Sequence, residues 1–200
     1  MKRSHKVLLV LTSAAVIPVL MVTVTHQARH AEITDQHDCT VDNIVSYLEE
    51  QMPGMSEERL REIATHVYLE SKKRNLDYRL VLAVMKIESN FKGDAVSSKG
   101  ARGLLQIKPS LGRGIAETLG ITWSGDRILH EPGNNIKFGV YHLSQLIDNF
   151  ENLQWALYAY NSGSTKARER SSQRKQPELR FAKAVISEYE KTMTALPEAQ

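Results

Sequence analysis

Between Asp77 and Phe91 the sequence reads as an amphipathic helix with one acid on its apolar side. At about 100° per residue, with Val81 at zero, Leu80, Val84, Met85, Ile87 and Phe91 fill an arc from roughly 240° round to 40°. Glu88 falls at roughly 340°, inside that arc, while Arg79, Lys86 and Asn90 lie opposite at roughly 140–180°. A carboxylate on a buried stripe is costly unless it is paired or keeps its proton. Desolvation favours the protonated form and raises the carboxyl pKa. An acid kept neutral near pH 7 can protonate a poor leaving group such as a glycosidic oxygen. The structural alternative is that Glu88 pairs with a buried arginine or caps a neighbouring helix. No second acid has comparable support: Asp94 falls in a loop, and Asp126 and Asp148 belong to no motif. A Ser/His/Asp order, an H-E-x-x-H zinc signature and a phosphate-binding glycine loop are all missing. His26 and His30 stand four residues apart without a third ligand nearby, and the single cysteine, Cys39, excludes a thiolate-rich metal site. The sequence therefore calls for no metal and no cofactor.

A helix with such a stripe needs partners to cover it. Val41, Ile44, Val45 and Leu48 mark a short helix ending before Pro53-Gly54. Ser56 caps a second, with Glu57 and Glu58 on its positive end and Leu60, Ile63, Ala64, Val67 and Tyr68 facing inward. Asp77 caps the helix of Glu88, and a loop rich in Gly, Ser and Lys extends from Lys92 to Gly103. Later helices are expected over about 134–150, 153–160 and 177–193. No alternating run is long enough for a sheet, so the fold class is mainly α. The 200 residues, 42% hydrophobic and 24% charged, fit one ordinary domain and exclude wholesale disorder. The net charge of +3 is misleading: residues 1–31 hold four of the 26 basic residues and no acid, leaving 22 basic against 23 acidic. The remainder lacks the basic excess of a nucleic-acid binder. The cluster Lys166, Arg168, Arg170, Arg174 and Lys175 reads as a solvated loop, or as a surface for carboxylates or anionic lipid.

The chain opens with a basic lead, Met1 to Lys6, then nineteen uncharged residues, Val7 to Thr25. That pattern is inserted by the export machinery. Residues 1–31 are expected to be a signal peptide or a signal anchor spanning the inner membrane with 7–25, residues 32–40 a linker, and 41–195 the working domain. Both readings place the domain in the cell envelope, on the periplasmic side.

The residues downstream of Glu88 narrow the chemistry. Glu88-Ser89-Asn90-Phe91 leads to Ala95-Val96-Ser97, Gly100-Ala101-Arg102-Gly103-Leu104-Leu105-Gln106, and then Ala159-Tyr160-Asn161 with Gly163. These blocks resemble, in order and spacing, those of the SLT-type lytic transglycosylases, relatives of goose-type lysozyme, over about 76–192. The resemblance implies a lysozyme-like helical domain and makes Glu88 the catalytic acid and base. Ser97, Gln106, Tyr160 and Asn161 fall at positions that line the family's substrate groove. Ser97 and Gln106 are short donors and acceptors suited to amino-sugar N-acetyl and hydroxyl groups, and Tyr160 offers a ring face to a pyranose. Leu105 stands where the family has Met, a volume-conserving change. Core packing and turn formation alone would also account for a Tyr, a Ser and two glycines at these places.

The resemblance implies cleavage of the β-1,4 bond between N-acetylmuramic acid and N-acetylglucosamine in peptidoglycan. Glu88 would protonate the departing oxygen and then, as a base, take the proton of the C6 hydroxyl that attacks C1, leaving a 1,6-anhydro end. The partners implied are glycan strands and, from the chain's size, a secretion, conjugation or pilus apparatus, with no nucleic acid. The alternatives are a hydrolytic muramidase, which needs a second carboxylate, and an inactive peptidoglycan-binding module, which has no use for an acid on an apolar stripe.

Overall fold

A computed structural model describes residues 39–150, 152–173, 176 and 179–198. The expected export segment, 1–31, and residues 32–38 of the expected linker lie outside the described residues. Cys39 and Thr40, assigned to that linker, are already helical. The first helix, α1, covers 39–51; after it come α2 (Glu57–Lys73), α3 (Tyr78–Ser89), α4 (Pro109–Thr118), a 3-10 turn (Asp126–His130), α5 (Pro132–Asn149), α6 (Leu153–Ser162), α7 (Ser164–Ser172) and α8 (Arg180–Ala195). Among the described residues there is no strand, only isolated bridges pairing Val96 with Arg102 and Arg102 with Ile107.

The expected caps form. Ser56 Oγ accepts from the Arg59 amide at 3.4 Å, and Asp77 Oδ1 accepts from the Arg79 amide at 2.9 Å. α2 buries Leu60, Ile63, Ala64, Val67 and Tyr68, as its spacing predicts. α3 differs from the reading of a one-sided stripe. It lies against both α2 and α8, and Leu80 through Met85 are all buried. Arg79, placed on the polar side by the helical projection, is buried at 8% exposure, and its guanidinium binds the Asp77 carboxylate at 2.6–3.0 Å. Tyr189 Oη of α8 donates to the same carboxylate at 2.8 Å, and Thr192 Oγ1 donates to the Arg79 carbonyl at 3.1 Å. Burial alone would raise the Asp77 carboxyl; the Arg79 and Tyr189 hydrogen bonds outweigh it and hold it below the usual carboxylate range.

Two helices and the 3-10 turn were not expected. α4 hides behind Gly112 and Gly114, poor helix formers. Gly112 is needed: a Cβ there would come within 3.0 Å of Leu129 Cδ2 and Trp123 Cζ3. α7 occupies part of the basic stretch read as a loop and buries only Ala167, so it leaves almost no apolar pattern. Arg174 and Lys175 of that stretch lie outside the described residues. α8 starts at Arg180 rather than 177.

Candidate functional site

Glu88 stands in the last turn of α3, which ends when Asn90 and Phe91 turn left-handed at φ 51° and 61°. Phe91 then drops into the core, 1% exposed, edge-on to Tyr47. This termination leaves Glu88 and Ile87 opening on a cleft of about 780 Å³. Among the described residues the Glu88 carboxyl has no ion pair or hydrogen bond, which removes the alternative of a buried arginine partner or a helix cap. Burial pushes its pKa up to about 7, and the negative end of α3 acts in the same direction. Among the described residues no other acid lines the cleft: Asp94 is exposed elsewhere on the loop, Asp126 faces Arg102 at 3.7 Å, and Asp148 is exposed on α5.

Ser97, Gln106, Tyr160 and Asn161 line the same cleft. Most of their polar atoms with described partners hold the loop that comes after α3. Ser97 closes its tip, with its amide donating to the Ala101 carbonyl at 2.9 Å and its hydroxyl accepting from the Ala101 amide at 3.0 Å. Gln106, left-handed at φ 48°, donates its amide nitrogen to the carbonyls of Gly103 (2.9 Å) and Ala95 (3.2 Å). That orientation turns its side-chain oxygen away from the loop carbonyls. Tyr160 Oη donates to the Leu105 carbonyl at 2.8 Å. Its ring is parallel to that of Phe181 at 6.5 Å and tilted against His142 at 5.3 Å. The Tyr160 phenol is held well above its ordinary pKa by burial, with the charge of Glu88 adding. Asn161 is exposed on the cleft wall.

Two supporting residues escaped the sequence reading. Asn135 of α5 is 1% exposed and makes three bonds into the loop region: its oxygen accepts from the Leu105 amide at 2.8 Å, and its nitrogen donates to the carbonyls of Leu129 (2.7 Å) and Arg102 (2.9 Å). Leu105 is thereby pinned at its amide by Asn135 and at its carbonyl by Tyr160. Gly103, at φ 76°, lies so close that a Cβ would overlap the Leu129 carbonyl and the Asn135 amide. Ser89 joins the loop to α3, its hydroxyl 2.8 Å from the Leu104 carbonyl and 3.1 Å from that of Met85. His142, also on α5, lines the cleft, and burial lowers its pKa to about 4, so the ring is neutral. Its signal was present: His142 falls midway between Phe138 and Leu146 at spacings of four, on a buried stripe.

No group of three or more His, Cys, Asp or Glu among the described residues is placed to hold a metal. No described helix is long and apolar enough to cross a membrane, and Val7–Thr25 lies outside the described residues.

Residues 67–181 match the model of the transglycosylase SLT domain. Among similar proteins, the membrane-bound lytic murein transglycosylase C of Haemophilus ducreyi is 35% identical over 118 residues, covering 54% of this chain and 32% of that protein. The transglycosylase of Enterobacteria phage PRD1 is 34% identical over 97 residues, covering 48% and 33%. The chain thus spans a third or less of the length of these relatives. Among solved structures, an inactive mutant of the lytic transglycosylase Slt of Pseudomonas aeruginosa matches with a TM-score of 0.50 at 28% identity, over 64% of this chain and 21% of that one. The 70 kDa soluble lytic transglycosylase of Escherichia coli matches with a TM-score of 0.52 at 22% identity, over 84% and 27%, which is a likeness of fold.

Proposed function

The chain belongs to the transglycosylase SLT domain family, and on that premise we propose that it cleaves peptidoglycan glycan strands without water, using Glu88 as acid and then as base. The observation that carries the reading is a carboxyl with no partner among the described residues, desolvated to a pKa of about 7, as the one acid among the described residues that line its cleft. Near neutrality a large share of Glu88 carries a proton, and the proton can be given and taken back within one turnover. Glu88 donates it to the oxygen joining C1 of N-acetylmuramic acid to C4 of N-acetylglucosamine. The C1–O bond breaks, and the leaving sugar departs with its 4-hydroxyl. The C6 hydroxyl oxygen of the muramoyl residue attacks C1, and its proton passes to the Glu88 carboxylate. The enzyme is restored, and the product ends in a 1,6-anhydro ring. Because the nucleophile belongs to the substrate, a second carboxylate, the usual partner in glycoside hydrolysis, is not required. Ser97, Gln106, Tyr160 and Asn161 are the substrate-binding residues in this reading, with Gln106 presenting its oxygen and Tyr160 setting the loop it faces.

The test is digestion of purified sacculi with mass analysis of the released muropeptides. Anhydro ends lighter than reducing ends by the mass of one water are expected. Reducing ends would make the protein a hydrolase, and no release would remove the catalytic reading. We place the activity in the cell envelope through the basic lead and uncharged run of residues 1–25. A reporter active only outside the cytoplasm, fused after residue 40, should be active; an intact but silent fusion would refute export.

A further inference from the structure

Several polar side chains in the cleft already hold the fold. Gln106 gives its side-chain nitrogen to the carbonyls of Ala95 and Gly103, Tyr160 its hydroxyl to that of Leu105, and Ser162 its hydroxyl to that of Tyr158. His142 has no such task. It lines the same cleft from α5, half-buried, and neither ring nitrogen has a hydrogen-bond partner among the described residues. Its ring lies 5.3 Å from that of Tyr160, between centroids, and Tyr160 is close enough to Glu88 to feel its charge. Burial holds the imidazole neutral, with a pKa of about 4. In either tautomer it then carries one N–H donor and one acceptor nitrogen. Desolvating both without a partner is costly, and a ligand that hydrogen-bonds them recovers the cost. An apolar side chain here would simply continue the buried stripe of Phe138 and Leu146. Like Glu88, His142 is the wrong residue type for packing alone.

We propose that His142 is a substrate-contacting residue that hydrogen-bonds the 2-acetamido group of the sugar bound beside Glu88. This rests on the reading of the cleft as a glycan-cleaving site and adds a residue to it. An acetamido group has an N–H donor and a carbonyl acceptor, so it complements the imidazole in either tautomer. Gln106 has only its side-chain oxygen left to offer, which takes an N–H or O–H but cannot satisfy a carbonyl. The Tyr160 hydroxyl has already given its proton to Leu105. A donor for the acetamido carbonyl has to come from elsewhere in the cleft. His142 supplies one in a desolvated place, where a hydrogen bond counts for more than at the exposed Ser97 or Asn161. A sugar stripped of its acetyl group presents an ammonium, with donors and no acceptor, and leaves the imidazole N–H unpaired. The contact therefore makes the cleft selective for N-acetylated strands.

The experiment uses the full-length protein with native strands and with strands N-deacetylated enzymatically. H142F keeps an aromatic ring against Tyr160 and removes both hydrogen bonds. It should lower kcat/KM on native strands by roughly three- to tenfold, the worth of one neutral hydrogen bond, with an unchanged circular dichroism spectrum. H142N and H142Q return an amide donor and acceptor near the reach of Nδ1 and Nε2, and at least one should recover most of the loss. Wild-type turnover by H142F, or both amide variants slower than H142F, would make His142 a packing residue and overturn the proposal. Binding is measured separately by co-sedimentation in the E88Q background, which needs no turnover. E88Q should hold native strands about tenfold more tightly than deacetylated ones, and E88Q with H142F should lose that preference. A preference that survives H142F, or none in E88Q, would overturn the acetamido contact. If H142F does not fold, imidazole ¹⁵N spectra of E88Q decide: one ring nitrogen should shift when native strands saturate the protein, and unmoved signals would overturn the proposal. If the wild type cleaves no strand, the catalytic reading has failed, and the binding and ¹⁵N arms still decide this one.

Discussion

Glu88→Gln tests the central claim through two opposite effects, because a carboxyl raised to about pH 7 by burial penalises folding while it serves catalysis. Below about pH 4.5 the group is neutral in both folded and unfolded chains and costs nothing. Between pH 4.5 and 7 the unfolded chain ionises while the folded one keeps its proton, so stability falls as pH rises. Above about 7 the folded carboxyl ionises as well, and the penalty levels off. Each pKa unit corresponds to about 1.4 kcal/mol, so the rise from 4.5 to about 7 amounts to roughly 3 kcal/mol at pH 8. Glutamine keeps the shape and carries no charge, so E88Q should match the wild type at about pH 4. It should be more stable by about 2–3 kcal/mol at pH 8, some 4–12 °C in melting temperature for a domain of this size. Release of anhydro-muropeptides by E88Q should fall by about 10²–10⁴-fold, the usual worth of general acid–base catalysis. Wild-type release should itself decline above about pH 7, as the donor proton is lost. The assays are urea denaturation at pH 4, 6 and 8, and mass analysis of sacculus digests. A stability difference that does not change with pH would show that Glu88 is not desolvated. Near-normal release by E88Q would show that the proton comes from elsewhere.

The remaining predictions probe what surrounds this carboxyl. His142→Gln should stabilise the protein at acid pH only: the folded ring resists protonation down to about pH 4, so the wild type loses stability as pH falls from 6.5 to 4, by roughly 3 kcal/mol, and the variant does not. Identical acid profiles in urea melts would contradict a buried neutral ring. Gly103→Ala should cost roughly 3 kcal/mol or more, since its Cβ would strike the Leu129 carbonyl and Asn135. Gly100→Ala, at the same φ of 76° but with nothing within 4 Å, should cost only about 1–2 kcal/mol; equal losses on thermal melting would remove the close-approach argument. Asp77→Ala should cost about 2–4 kcal/mol by removing a helix cap and leaving Arg79 unpaired in the interface of α3 with α8. The Asp77 contribution is present above the ordinary carboxyl pKa and is lost as pH falls through the lower folded value. A melting temperature unchanged at pH 7 would refute this.

Much of α2 and α3 was legible because local chemistry dictates them: Ser56 and Asp77 cap where a short oxygen acceptor precedes an apolar run, and Glu88 stands out as the wrong residue type for its position. The helical projection of α3 misplaced Arg79 because a projection assumes one buried face, whereas α8 returns from more than a hundred residues away to cover the other. Nothing near residue 79 announces that return. The same limit hid Asn135, whose partners come from two stretches, the loop at 102 and 105 and the 3-10 turn at 129. α4 and α7 were lost for a different reason: one carries glycines demanded by close packing, and the other buries a single alanine.

These distant contacts give the loop residues two tasks at once. Groove-facing roles for Gln106 and Tyr160 would by themselves let either be replaced with stability nearly unchanged. The structure instead commits the Gln106 side-chain nitrogen to the carbonyls of Ala95 and Gly103, and the Tyr160 hydroxyl to that of Leu105. Substituting either one removes a donor that holds the loop, so a folding cost of about 1 kcal/mol accompanies any loss of turnover. A drop in activity in such variants therefore does not identify a sugar contact by itself. Leu105 shows why the coupling is built in. Its amide is held from α5 by Asn135, its carbonyl from α6 by Tyr160, and its side chain fits against Gly139, where a Cβ would overlap it. Ser89, next to Glu88, reaches the neighbouring Leu104 carbonyl. One short stretch of loop is thus referenced to α3, α5 and α6 simultaneously, and the distance from the acid on α3 to the groove residues on the loop is set by hydrogen bonds within the fold rather than by the substrate. For proton donation to a glycosidic oxygen, where a small misplacement is costly, that prior fixing is what the surrounding helices contribute.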